Sequence, residues 1–247
     1  GLDDWQRVPA EPEGVTYRET EFGGVPGILV TPLESDPQQM LVLFHGGGFA
    51  LGSSRSHRKL AGHLAKAAGT HAFVADFRLA PEHKFPAAIE DCVAFVRALP
   101  EAGHRVEDVS LVGDSAGGNV AIATVLKLRE LGEPLPPQVI TMSPIAREGL
   151  QGKIARYIGS VASPTAPLAT PLYADLTGFP RLYITAADTE SLFDDSVRLN
   201  AQAQAAGVDV TFSIGEGMQH VFPFLAGHHE RADEEIKRMA DWYRAGR

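Results

Sequence analysis

Val109-Ser110-Leu111-Val112-Gly113-Asp114-Ser115-Ala116-Gly117 is the stretch on which the reading of this chain turns. The apolar run 109–112 predicts a buried strand, and the spacing of apolar residues over 117–131 predicts a helix. Between them stands G-x-S-x-G, whose glycines let the chain turn sharply and let neighbouring elements pack closely. The turn forces Ser115 into a strained, exposed position at a helix start, where the helix dipole favours negative charge. Ser115 is therefore the candidate nucleophile. A glycine-rich helix start is the plainer alternative, and the strand–turn–helix context weighs against it.

Working outward, the same alternation recurs. Segments 15–20 and 25–31 read as strands joined in a hairpin across Phe22-Gly23-Gly24. Further strands are predicted at 40–44, 72–75, 139–142, 182–185 and 208–214, and helices at 56–68, 86–99, 194–206 and 231–243. Strands alternating with helices imply an α/β fold, a mostly parallel sheet covered on both faces. With no repeats or linkers, residues 1–247 read as one domain. In such sheets ligands bind beyond the carboxyl ends of the strands, and the informative motifs lie there.

His45-Gly46-Gly47-Gly48-Phe49 follows the strand at 40–44. Consecutive glycines present backbone N–H groups unobstructed, as a hydrolase needs where a carbonyl becomes an oxyanion. A phosphate loop is the weaker reading, since neither G-x-x-x-x-G-K-[ST] nor G-x-G-x-x-G fits. Of nine histidines, His220 follows the last predicted strand and comes after Ser115, as the order Ser, acid, His requires. His57, His63, His71, His83 and His104 precede the serine and read as surface or loop-supporting residues. His228 and His229 lack a third ligand at a recognisable spacing, so no metal site is expected. After the strand at 182–185 come four carboxylates. Asp194 or Asp195 is expected to cap the next helix, which leaves Asp188 and Glu190 as partners for His220.

Together HGGGF at 45–49, DFRLAPEHKFPAA at 76–88, GDSAGGN at 113–119, TPLYADL at 170–176 and GMQHVF at 217–222 resemble the bacterial esterase branch of the hormone-sensitive-lipase-like α/β-hydrolases. The resemblance runs from about Met40 to the C-terminus. It implies the α/β-hydrolase fold, an eight-stranded, mostly parallel sheet with a helical cap, and ester hydrolysis without a cofactor. It also implies that the N–H groups of Gly47, Gly48 and Ala116 receive the oxyanion, with Ser115 and His220 as nucleophile and base. The family's acid stands in a D-P-L-x-D frame. Glu190-Ser191-Leu192-Phe193-Asp194 fills that frame, which favours Glu190 over Asp188. By analogy with relatives that pair through sheet edges, a homodimer is admitted. Three departures stand out: Phe77 replaces a common tyrosine, the N-terminal helical region usual in such relatives is not expected, and the stretch from Ser143-Pro144-Ile145 to Glu148-Gly149-Leu150 is short, which implies either a reduced cap or segments absent from the sequence.

The expected function is hydrolysis of small or short-acyl esters or lactones through an acyl-enzyme, with Phe49, Phe222 and Phe224 lining the substrate pocket. Rivals are an amidase or deacetylase using the same residues and a non-catalytic binding protein on the same fold. A net charge of −9 argues against nucleic acid and anionic membrane surfaces. No apolar run approaches a membrane span, the first thirteen residues lack a signal-peptide layout, and the lone Cys92 fits a reducing cytoplasm.

Overall fold

The first two strands, β1 (Val15–Phe22) and β2 (Val25–Pro32), pair antiparallel with Phe22 opposite Val25. The turn between them is Gly23-Gly24, both at positive φ, where a side chain would be strained. Six more strands follow: β3 (Asp36–Phe44), β4 (Thr70–Ala75), β5 (Val109–Asp114), β6 (Gln138–Met142), β7 (Arg181–Ala187) and β8 (Val210–Gly215). They form one eight-stranded sheet in the order β1-β2-β4-β3-β5-β6-β7-β8. From β4 to β8 every pairing is parallel, and β2 meets β4 antiparallel. The computed structural model describes residues 4–147 and 152–247.

The apolar runs are continuous because both faces of the sheet are covered. Met40, Val42 and Phe44 join one buried cluster with α2 (Ala87–Ala98), α3 (Ala116–Glu130) and α5 (Phe193–Ala205). Leu41 and Leu43 point the other way, into a second cluster with α1 (Ser54–Ala68) and α6 (Glu230–Ala245). Successive side chains alternate across the pleat, so one short strand feeds two cores.

The expected strands and the five expected helices all form, with ends displaced by a few residues. Two expectations change. A short helix, α4 (Lys153–Ile158), and a 3-10 turn (Pro171–Tyr173) lie between β6 and β7, where no element was predicted. Six residues are too few for a helical period to stand out. Neither Asp194 nor Asp195 caps α5, whose N-cap is Leu192 without a side-chain bond. Asp195 instead accepts from the N–H groups of Ala146 (2.8 Å) and Arg147 (3.0 Å) and pairs with the Arg147 guanidinium. Burial lifts its carboxyl above the usual carboxylate range against those bonds. That carboxylate holds the chain leaving β6. The Glu148-Gly149-Leu150 end of the insertion expected to be short lies outside the described residues. Farther on, Asn119 of α3 donates to the carbonyls of Ile145 (3.0 Å) and Ala169 (2.9 Å), fastening both ends of the insertion to the helix behind Ser115.

Candidate active site

Ser115 sits between β5 and α3 at φ 53, ψ −116, a conformation that costs a non-glycine residue roughly 1–3 kcal/mol. Its surroundings hold it there. Its N–H donates to the Met142 carbonyl (2.8 Å), and its carbonyl accepts from the Ile145 N–H (3.1 Å). The flanking glycines are required by close approach: a Cβ on Gly113 would strike the Gly117 carbonyl, and one on Gly117 the Phe44 carbonyl. α3 can therefore start directly against β3 and β5, with Ser115 at its N-terminal end.

Three residues from three strand ends meet in a hydrogen-bonded chain. Ser115 Oγ lies 3.1 Å from His220 Nε2, and His220 Nδ1 lies 3.0 Å from Glu190 Oε1. The second carboxylate oxygen of Glu190 accepts from Ser143 Oγ (2.7 Å) and the Ala187 N–H (3.0 Å). With its carboxylate almost wholly covered and its oxygens occupied, Glu190 holds one orientation, while the His220 side chain remains 43% exposed. Asp188 does not reach the histidine; it accepts from the Gly217 N–H (2.8 Å).

The loop from β8 to His220 is thus pinned from two sides. Asp188 holds Gly217, Thr189 Oγ1 donates to the Met218 carbonyl, and Ser143 Oγ accepts from the Val221 N–H (3.1 Å). Val221 adopts φ 51, which a β-branched residue tolerates only when its surroundings impose it. Ser143 was not singled out in the sequence. Its position immediately after β6, at the carboxyl end of the sheet, was the available signal.

Beneath the serine lies a second histidine–carboxylate pair. His57 Nε2 stands 3.2 Å from Asp114 Oδ2, and both side chains are buried. His57 Nδ1 meets Ser56 Oγ at 2.7 Å, and Asp114 Oδ1 accepts from the Gly46 N–H (3.0 Å). Of the two roles expected for His57, surface or loop support, it takes the second: through Asp114 it braces the glycine loop at Gly46, and it packs edge-on against Phe224. Burial would raise the Asp114 carboxyl, but the charge and hydrogen bond of His57, with the Gly46 N–H, outweigh it and hold it below the usual range. Neighbouring His45 stacks on Phe77 (4.6 Å between ring centroids) and is held neutral, its pKa lowered to about 4 by burial and then by the charge of His57.

Gly47 and Gly48 follow β3 at φ 127 and 62. Their N–H groups have no hydrogen-bond partner among the described residues, and both glycines border a cavity of about 460 Å³ that opens over Ser115 and His220. Ala116 begins α3 directly after the serine. Trp5, Val8, Leu51 and Phe224 supply the apolar wall, and Lys153 and Gln219 add polar groups. Of the three phenylalanines expected to line the pocket, only Phe224 does so. Phe49 stacks face to face on Tyr157 (4.0 Å, 5°) in the core, and Phe222 packs beneath Gly215 beside Ala187 and Met218. Aromatic content marked all three, but only the backbone direction decides which ring meets solvent. Trp5 and Val8 come from a segment that carries no sequence signal for a site.

Among the described residues no helix is long and apolar enough to cross a membrane. His229 Nδ1 accepts from the Arg231 N–H at the start of α6.

Residues 41–224 match the profile of the α/β-hydrolase fold family. An acetyl-hydrolase from Streptomyces hygroscopicus is 37% identical, over 86% of this chain and 82% of its own length. An esterase from Acinetobacter venetianus is 30% identical, over 98% and 86%. The crystal structure of an esterase from the bacterial hormone-sensitive lipase family superposes with a TM-score of 0.94 at 33% identity, over 99% of this chain and 89% of that one. This chain belongs to the α/β-hydrolase fold family, in its hormone-sensitive-lipase-like branch of carboxylesterases.

Proposed function

We propose that the chain hydrolyses small carboxylic esters through an acyl-enzyme, with Ser115 as nucleophile, His220 as base and Glu190 as the acid that orients it. The observation that carries this reading is the unbroken chain Ser115 Oγ–His220 Nε2–His220 Nδ1–Glu190 Oε1, at 3.1 and 3.0 Å, opening into one cavity. Substrate enters with its carbonyl oxygen toward the N–H groups of Gly47, Gly48 and Ala116. Neutral His220 takes the Ser115 proton as Oγ attacks the carbonyl carbon, and negative charge collects on the oxygen facing those donors. Glu190 keeps the proton on Nδ1, so that Nε2 is free to act as base, and stabilises the imidazolium that forms. The tetrahedral intermediate expels the alcohol, which takes the proton from Nε2. Water then attacks the acyl group, giving its proton to the same nitrogen, and Ser115 is released with the carboxylic acid.

The cavity, partly walled by Trp5 and Leu51, suits a short acyl chain or a lactone. Cys92, a buried free thiol, suits work in a reducing cytoplasm.

The test is hydrolysis of p-nitrophenyl esters from acetate to laurate by wild type and Ser115→Ala. Substitution of the nucleophile is expected to lower kcat by about 10⁴-fold or more, with the wild-type rate greatest on short chains. Equal rates in the two proteins would overturn the assignment of Ser115. A rate confined to matched amide substrates would turn the reading to an amidase with the same residues.

A further inference from the structure

The polar groups around the cavity are nearly all committed to one another. Ser115, His220 and Glu190 form one chain, and His57 and Asp114 form another. Lys153, like Gln219, has no such partner among the described residues. It supplies the one ammonium or guanidinium group among the lining residues, and it makes no ion pair or hydrogen bond among the described residues. Its side chain runs over Gly48: Cδ, Cε and Cγ lie 3.5, 3.7 and 3.9 Å from the point where a Cβ of Gly48 would stand. At those distances the lysine stem lies within ordinary van der Waals reach of the glycine loop. Arg147 is occupied by Asp194 and Asp195, and among the described residues Lys153 has no carboxylate partner, in a protein whose net charge is −9.

We propose that Lys153 selects esters that themselves carry a carboxylate, such as the hemiester of a dicarboxylic acid; the proposal rests on the ester-hydrolysis reading of the same site. An ammonium at the cavity wall discriminates in both directions. An apolar acyl or alcohol group laid across it strips water from the charge and returns nothing. A carboxylate in the same place forms a charge-assisted hydrogen bond, stronger than a neutral one. The lysine acts on binding, beside the reacting carbonyl, and takes no part in proton transfer.

The experiment compares methyl hemiadipate with methyl hexanoate, which share an acyl length and differ in the terminal carboxylate. A second pair, 4-acetoxybenzoate and 4-acetoxytoluene, puts the carboxylate on the alcohol side. Wild type, Lys153→Met and Lys153→Arg are assayed on all four. The ratio of kcat/KM, charged over neutral, is expected to fall about tenfold in Lys153→Met on one of the two pairs, chiefly through KM. Lys153→Arg should retain most of the ratio, and raised salt should lower it in wild type but not in the Met variant. The pair that responds identifies the side that meets the lysine. An unchanged ratio on both pairs in Lys153→Met, with neutral esters still hydrolysed, overturns the proposal and leaves the esterase reading intact. Absence of hydrolysis of all four esters by wild type overturns that reading and the proposal together.

Discussion

Ser115 stands between two histidine–carboxylate pairs of the same chemistry and opposite circumstance. His220 and Glu190 lie 3.0 Å apart with the histidine side chain 43% exposed to the cavity, whereas His57 and Asp114 lie 3.2 Å apart with almost nothing exposed. In the first pair the carboxylate is locked by Ser143 and the Ala187 N–H while the imidazole keeps a free face toward Ser115 and water. In the second, both ring nitrogens are taken, by Ser56 and Asp114, and the carboxylate also holds Gly46 at the head of the glycine loop. The difference teaches that a histidine–carboxylate contact does not define a function. One pair has a nitrogen turned to Ser115 and the cavity; the other is a strut under the loop beside it.

Breaking each pair should give opposite signatures. Glu190→Gln turns an amide N–H toward His220 Nδ1 and favours the wrong tautomer, so kcat is expected to fall by about 10³–10⁴-fold with the denaturation midpoint little changed. Asp188→Asn, which keeps an acceptor for the Gly217 N–H, should change kcat far less. Equal losses in the two variants would remove Glu190 from its role.

His57→Leu should do the reverse. It leaves Asp114 buried with only the Gly46 N–H, at a cost of about 3–5 kcal/mol in unfolding free energy. Turnover per folded molecule, normalised by reaction with a serine-directed phosphonate, should fall much less than in Glu190→Gln. A variant as stable as wild type but inactive would make His57 a participant in the chemistry.

The smallest effect is on pH dependence. His45 is neutral in the fold, its pKa lowered from 6.5 to about 4 by burial and by the charge of His57. The unfolded chain therefore binds the extra proton first as pH falls. Stability tied to His45 is complete above about pH 6.5 and is lost progressively toward pH 4, by about 3 kcal/mol over that window. Asp114, held below its ordinary value of 3.8, adds a further loss at still lower pH, as its carboxylate is protonated. Urea midpoints measured from pH 7 to 4 should slope downward in wild type and flatten in His45→Gln. A flat wild-type profile would place charge on His45 in the folded state.

The sheet was legible because parallel strands buried on both faces must be written as apolar runs, and 40–44, 109–112, 139–142 and 182–185 were such runs. Ser115, the glycines at 47 and 48 and His220 were legible because a tight turn after a strand demands glycine whatever the rest of the chain does. α4 was not, because six residues hold too little period. The choice between Glu190 and Asp188 rested on a motif frame alone; two residues past a strand end, direction is set by the turn.

What the sequence determined by itself was therefore local: which segments lie flat in a sheet, where the chain turns, and which reactive side chains stand at those turns. What the tertiary structure decided was adjacency. It brought Glu190 rather than Asp188 to His220, paired His57 with Asp114, 57 positions apart in sequence, turned Phe49 and Phe222 into the core, and set Lys153 and Trp5 around one cavity. Local rules act through backbone geometry over a few residues, while these contacts depend on how separate elements pack, which a linear pattern does not encode.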